Sequence, residues 1–193
     1  MNMKCFSVLV TLTSLVSLPV SAHTGVSVEH GLYEGLVHPL IGLDHLLVML
    51  GIGLWSVKQR HQPLWLLPIV FLLMMILGAA IQQAGYILNT AEVWVAFSVL
   101  FSGWLVWKKG SDSALLSVLI TAVFAVSHGY VHVAELELDA NITTYALGFL
   151  ISTTALLSLG VIMGKVGKSK VKLINSGFGL LCTVVGLTLL IHN

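Results

Sequence analysis

Residues 38–49 of this chain read HPLIGLDHLLVM and residues 127–135 read SHGYVHVAE. Together they offer His38, Asp44 and His45, then His128, His132 and Glu135, a mixture of imidazoles and carboxylates that suits a divalent transition-metal ion. Asp44 falls inside an apolar run, 31–57, long enough to cross a bilayer. An ionised carboxylate at that depth costs about 2.5–3.5 kcal/mol, so it needs a partner or a cation. His128 and His132 are four residues apart and Glu135 three further on, which puts all three on one helical face.

On a regular helix His38 and His45 lie nearly above one another, two turns apart, with Met49 one turn further along the same stripe, while Asp44 points elsewhere. Pro39 lacks an N–H and Gly42 loosens the chain, so the segment 38–42 is expected to kink and let His38 and Asp44 converge. Met49 reads as packing before it reads as a thioether ligand.

The elements that carry these residues follow from composition. With 57% hydrophobic and 9% charged residues and a mean hydropathy of +0.99, the chain is expected to be an all-α polytopic membrane protein, since soluble domains carry roughly 25% charged residues. A net charge of +1, with its basic residues dispersed in short loops, excludes nucleic acid as a partner. Residues 1–22 have the pattern of a cleaved signal peptide: Lys4, an apolar core, Pro19 and a small-residue site ending at Ala22. Cleavage removes Cys5 and leaves Cys182 with no intrachain partner. It also makes His23 the first residue, so its α-amine and imidazole, with His30 seven residues on, form a candidate external metal-capture arm.

Six transmembrane helices are expected within the domain 23–193, over 31–57, 64–82, 93–107, 114–134, 142–163 and 173–191. After cleavage every Lys and Arg falls in the loops following the first, third and fifth of them, which predicts that these loops are cytoplasmic and that both chain ends are periplasmic. The opposite connections carry Glu92, or Glu135, Glu137 and Asp139. Asp112, beside the cytoplasmic lysines, reads as a solvated carboxylate. Trp55, Trp65, Trp94, Trp104 and Trp107 read as interface anchors. Gly160, Gly164 and Gly167, with Gly177, Gly179 and Gly186, suggest close contact within the last hairpin.

At 1.5 Å per residue His45 lies roughly 20 Å and His38 roughly 30 Å from Lys58, and His128 roughly 28 Å and His132 roughly 34 Å from Lys109. Both clusters then fall in the outer half of the membrane. Their two helices open two three-helix halves of opposite topology, the arrangement of a 3+3 inverted repeat with a substrate site between the halves.

These motifs, with a signal peptide ending just before a His, resemble the HupE/UreJ family of hydrogenase and urease accessory proteins, and the resemblance extends over the whole mature chain. It implies a small bacterial inner-membrane permease for Ni2+, with Co2+ next, linked to hydrogenase or urease maturation. It further implies that His38, Asp44 and His45 form the first part of the metal path, that His128, His132 and Glu135 match the second motif, and that Glu92 occupies an acidic position. The family pattern often has another His on the fifth helix near Leu157. This chain has none there, only Ser152, Thr153, Thr154 and Ser158.

The expected activity is therefore secondary transport of a metal ion, with no permanent cofactor and no enzymatic reaction. No GxxxxGK[ST] motif indicates ATP hydrolysis. One alternative is an intramembrane metal-dependent hydrolase, for which no HExxH is present. The other is a metal-storage or delivery subunit.

Overall fold

The computed structural model describes residues 28–134, 136, 141–166 and 168–192, the side chains of 28–30 and 168–169 excepted. The expected signal peptide, His23 and Glu135 lie outside the described residues, as do Glu137, Asp139 and the side chain of His30. Among the described residues there are seven helices: α1 Val28–Ile41, α2 Leu43–Ser56, α3 Leu66–Gln83, α4 Ala91–Trp107, α5 Ala114–Ala134, α6 Ile142–Lys165 and α7 Lys168–His192.

Four of these, α3, α5, α6 and α7, are long and apolar enough to cross a membrane. The first apolar run is two helices, α1 and α2, meeting at a 75° bend. The cause is local: Pro39 cannot donate into α1, and Gly42 adopts φ −68 and ψ 107, an extended geometry that ends one helix and starts the next. Gly42 still donates to His38 O at 3.2 Å, and its carbonyl accepts from Leu46 N at 2.9 Å, so the turn keeps its backbone bonded. The bend replaces the straight helix on which His38 stacks two turns above His45, and the 30 Å depth expected for His38 falls with it. At 17 residues α4 is about 26 Å long, slightly less than a hydrocarbon core. Large apolar side chains such as Leu73, Leu119, Ile151 and Leu180 face outward on the spanning helices. The chain is a polytopic, all-helical membrane protein.

Three crossings organise the bundle: α1 and α2 against α6, α3 against α5, and α4 against α7. Glycines allow the close approach. A methyl group on Gly78 would overlap the Val126 carbonyl, and one on Gly129 the Met75 carbonyl, so neither side of the α3–α5 contact tolerates a side chain. Gly53 and Gly160 do the same between α2 and α6. The glycines of the last two helices thus serve partners other than those expected. Gly160 and Gly164 meet α2 and the residues after it, Gly179 and Gly186 meet α4, Gly177 has nothing within 4 Å, and Gly167 lies outside the described residues. Helices α6 and α7 touch each other little. A glycine stripe records that a backbone comes close, not which one.

At the far end of α2 a polar knot ties three segments together. Lys58 Nζ donates to the carbonyls of Leu105 at 3.2 Å and Val106 at 2.8 Å, and to that of Lys108, filling the acceptors left open at the end of α4. Gln59 Oε1 accepts from Asp112 N at 3.0 Å and Ser111 Oγ at 3.2 Å, and lies 3.4 Å from Ser117 Oγ. Asp112 pairs with Lys108 and accepts from Trp55 Nε1 at 3.3 Å. Asp112 is therefore a half-buried tie, not a solvated carboxylate. Trp55, 1% exposed, is part of the core and not an interface anchor, because its indole N–H needs the acceptor that Asp112 supplies. The other four tryptophans are exposed. Burial and the neighbouring Lys108 push the Lys58 amine down to about 8, against the opposing pull of Asp112.

Candidate metal centre

The bend at Gly42 aims the C-terminal end of α1 and the first turn of α2 at the same point on α5. One ring nitrogen each of His38, His45 and His132 lies within 4.8 Å of the others. The His45 and His132 ring centroids are 4.0 Å apart, those of His38 and His132 4.9 Å, and those of His38 and His45 5.8 Å. His45 and His132 are buried and His38 is half-buried.

Asp44 turns to His45. Its Oδ1 accepts from His45 N at 2.9 Å and lies 2.6 Å from His45 Nδ1. The carboxylate therefore does two things at once: it caps an open N–H at the start of α2, where the helix dipole favours negative charge, and it orients the imidazole. A carboxylate only accepts, so the proton sits on Nδ1 and the lone pair on Nε2. Asp44 is 24% exposed, more open than the buried His45 and His132. The structure joins it to His45 and not to the group of three ring nitrogens.

His128, fully buried, lies one turn along α5 from His132, with its ring centroid 5.1 Å from that of His45. Its Nδ1 is 2.8 Å from Phe124 O, which fixes the proton on Nδ1 by the same reasoning. His45 Nε2, His128 Nε2 and both nitrogens of His132 are buried with no hydrogen-bond partner among the described residues. Such orphaned groups each cost about 1–3 kcal/mol.

Aromatic rings wall the site. Phe149 packs 3.8 Å from the His132 ring, Tyr145 6.0 Å from His38, and Phe71 5.9 Å from His128. A cavity of about 220 Å3 between α3, α5 and α6 has His132, Tyr145 and Phe149 in its lining. The sequence reading did not single out these three aromatics. Tyr145 and Phe149 are four residues apart, which is the signal that could have marked a shared face.

The remaining candidates lie elsewhere. Glu92 is exposed in the first turn of α4 and outside the three-nitrogen group. Met49 is 0% exposed within the apolar core. On α6, Ser152 Oγ donates to Leu36 O, steadying α1, Thr154 and Ser158 bond within their own helix, and Leu157 is core. Thr153 is buried without a partner.

Residues 10–189 match the family model described as HupE / UreJ protein. The chain is 32% identical over 157 residues to Protein HupE of Rhizobium leguminosarum bv. viciae, an alignment covering 81% of this chain and 82% of that protein. No solved structure matches.

Proposed function

Because the chain belongs to the HupE / UreJ family, we propose that it is a secondary permease for a divalent transition-metal ion, Ni2+ first and Co2+ next. The observation that carries this reading is the meeting of three imidazoles from α1, α2 and α5, with buried nitrogens of His45 and His132 that have no hydrogen-bond partner among the described residues. Neutral imidazoles suit Ni2+, Co2+ and Zn2+ and are poor ligands for Mg2+ or Ca2+. Bonds of about 2.0–2.1 Å would draw the nitrogens to within about 3–3.5 Å of one another, a side-chain adjustment of roughly 1.5 Å. His38, His45 and His132 are the metal ligands in this reading, Asp44 supplies the compensating charge, and His128 belongs to the path. Glu135 and the capture arm of His23 and His30 complete the path on the outer side, with Glu92 near its mouth.

In this reading the membrane is crossed six times, with α1 and α2 as one broken span and α4 as a short one. The three main crossings support a 3+3 inverted repeat. Exchanging the first span with α5, α3 with α6 and α4 with α7 turns the first crossing into the second and leaves the third unchanged. The Lys58 knot marks the cytoplasmic side, since it gathers the lysines after α2 and α4, and both chain ends are periplasmic at the bacterial inner membrane. A membrane potential favours inward cation movement by about 2.3 kcal/mol per charge per 100 mV. The cargo then serves hydrogenase or urease maturation.

The test is accumulation of Ni2+, Co2+ and Zn2+, in parallel, in cells lacking their own high-affinity uptake and expressing this chain or its His45→Ala variant. The expected result is nickel or cobalt accumulation that disappears with His45 while the membrane still holds the protein. No accumulation of any metal by inserted wild-type protein would overturn the reading.

A further inference from the structure

We infer that His128 is not a fourth ligand of the outer site but a second, deeper station, to which the metal passes by ligand exchange on His45. This deepens the transport reading above and rests on it. The geometry separates His128 from the trio: the three ring nitrogens within 4.8 Å of one another come from His38, His45 and His132, and His128 is not among them. His128 approaches the trio through His45, at 5.1 Å between ring centroids. Its place on α5 is one turn closer than His132 to the Lys58 end, about 6 Å further in. Exposure falls in the same order, from 24% for the Asp44 side chain to 3% for His45 and His132 and 0% for His128.

Hydrogen bonding prepares both partners for the exchange. Asp44 holds the His45 proton on Nδ1 and the Phe124 carbonyl holds the His128 proton on Nδ1. Each ring then presents an unpartnered, buried Nε2 lone pair. In the step itself the metal keeps its bond to His45 Nε2, one to His128 Nε2 forms as that to His38 breaks, and the bond to His132 is exchanged for one to a water molecule. No proton or electron moves, because the incoming nitrogen is already deprotonated. His45 is thus the shared ligand of two overlapping sites.

The face of α5 below His128 continues the route. Thr121 and Ser117 follow at seven and eleven residues from His128, both 0% exposed. Thr121 Oγ1 donates to Ser117 O at 2.8 Å and Ser117 Oγ to Ser113 O at 3.0 Å, which commits their protons and leaves the oxygens as acceptors suited to a passing cation. The stripe ends at Gln59 in the polar knot.

The experiment compares wild type with His128→Gln, His128→Phe and His132→Ala in two readouts, Ni2+ affinity by calorimetry on the purified full chain and Ni2+ flux into vesicles carrying a metal-sensitive dye. The His128 variants are expected to bind Ni2+ within about threefold of wild type while flux falls about tenfold or more, and His132→Ala to lose both. A parallel loss of affinity in the His128 variants, or unchanged flux, would overturn the second station. X-ray absorption on Ni2+-loaded wild type gives a variant-independent answer: three coordinated imidazoles are expected, and four would make His128 part of one site. Tight binding with no wild-type flux would instead overturn the transport reading and the station with it. That outcome is distinct from wild-type flux that the His128 variants leave unchanged.

Discussion

Replacing Asp44 separates a ligand from a residue that orients one. Its Oδ1 takes two hydrogen bonds from His45, at 2.9 Å from the backbone N–H and at 2.6 Å from Nδ1. Bonds to a charged acceptor contribute about 1.5–3 kcal/mol each. Asp44→Ala removes both, so the His45 proton is no longer held on Nδ1 and the start of α2 loses its cap. Loss of a residue that orients a metal-bound histidine typically weakens metal affinity about 10–100-fold, which is about 1.4–2.8 kcal/mol. Asp44→Asn keeps an acceptor oxygen but not the charge, so it is expected near the tenfold end and Asp44→Ala near the hundredfold end. His45→Ala, which removes a proposed ligand outright, is expected to fall further than either. Calorimetric titration of Ni2+ into detergent-purified protein, with circular dichroism to establish helix content, measures all three. Wild-type affinity in Asp44→Ala would refute the orienting role, and a loss in Asp44→Asn as deep as in His45→Ala would make the carboxylate a ligand.

His132→Phe replaces two orphaned buried nitrogens by an apolar ring, so the metal-free protein is expected to melt higher than wild type, by the equivalent of about 1–3 kcal/mol, while the Ni2+-induced rise in Tm disappears. Gly129→Ala drives a methyl group into the Met75 carbonyl and is expected to lower Tm by the equivalent of about 1–3 kcal/mol or more, whereas Gly177→Ala, with nothing within 4 Å, leaves it unchanged. Lys58 has its proton affinity pushed down to about 8 from an ordinary value near 10.5. Between those values the unfolded chain holds a proton that the folded one does not. Stability from this group therefore rises with pH across that window, and Lys58→Met should flatten the corresponding part of a Tm-against-pH curve.

Much of the site was legible because helical spacing is local. The four-residue interval of His128 and His132 placed both on one face, and Pro39 with Gly42 announced the break. The direction of the bend was not legible, since it depends on α1 lying against α6, where Gly35 and Gly148 let two backbones meet. For the same reason the sequence could not say that Asp44 would hydrogen-bond His45, its neighbour. Trp55 and Asp112 were misread as surface residues because their contact joins positions 57 residues apart. Composition near a helix end looks the same whether the end faces lipid headgroups or another helix. The last glycines were assigned to the wrong neighbours on the same ground.

The knot beneath the site has a meaning for the cell's energy supply. Six hydrogen bonds join Lys58, Gln59, Trp55, Asp112 and the end of α4, and opening the bundle on that side is expected to break them. At about 0.5–1.5 kcal/mol each, they hold the open form to a small minority of molecules. In the inner membrane proposed above, work is stored as a proton gradient, and any water-filled gap would let that gradient run down. Vesicles containing this protein are accordingly expected to hold an imposed pH difference as long as protein-free vesicles do. On the proposed transport reading, a rarely opened floor is what lets a metal path coexist with a charged membrane, and uptake is expected to be slow.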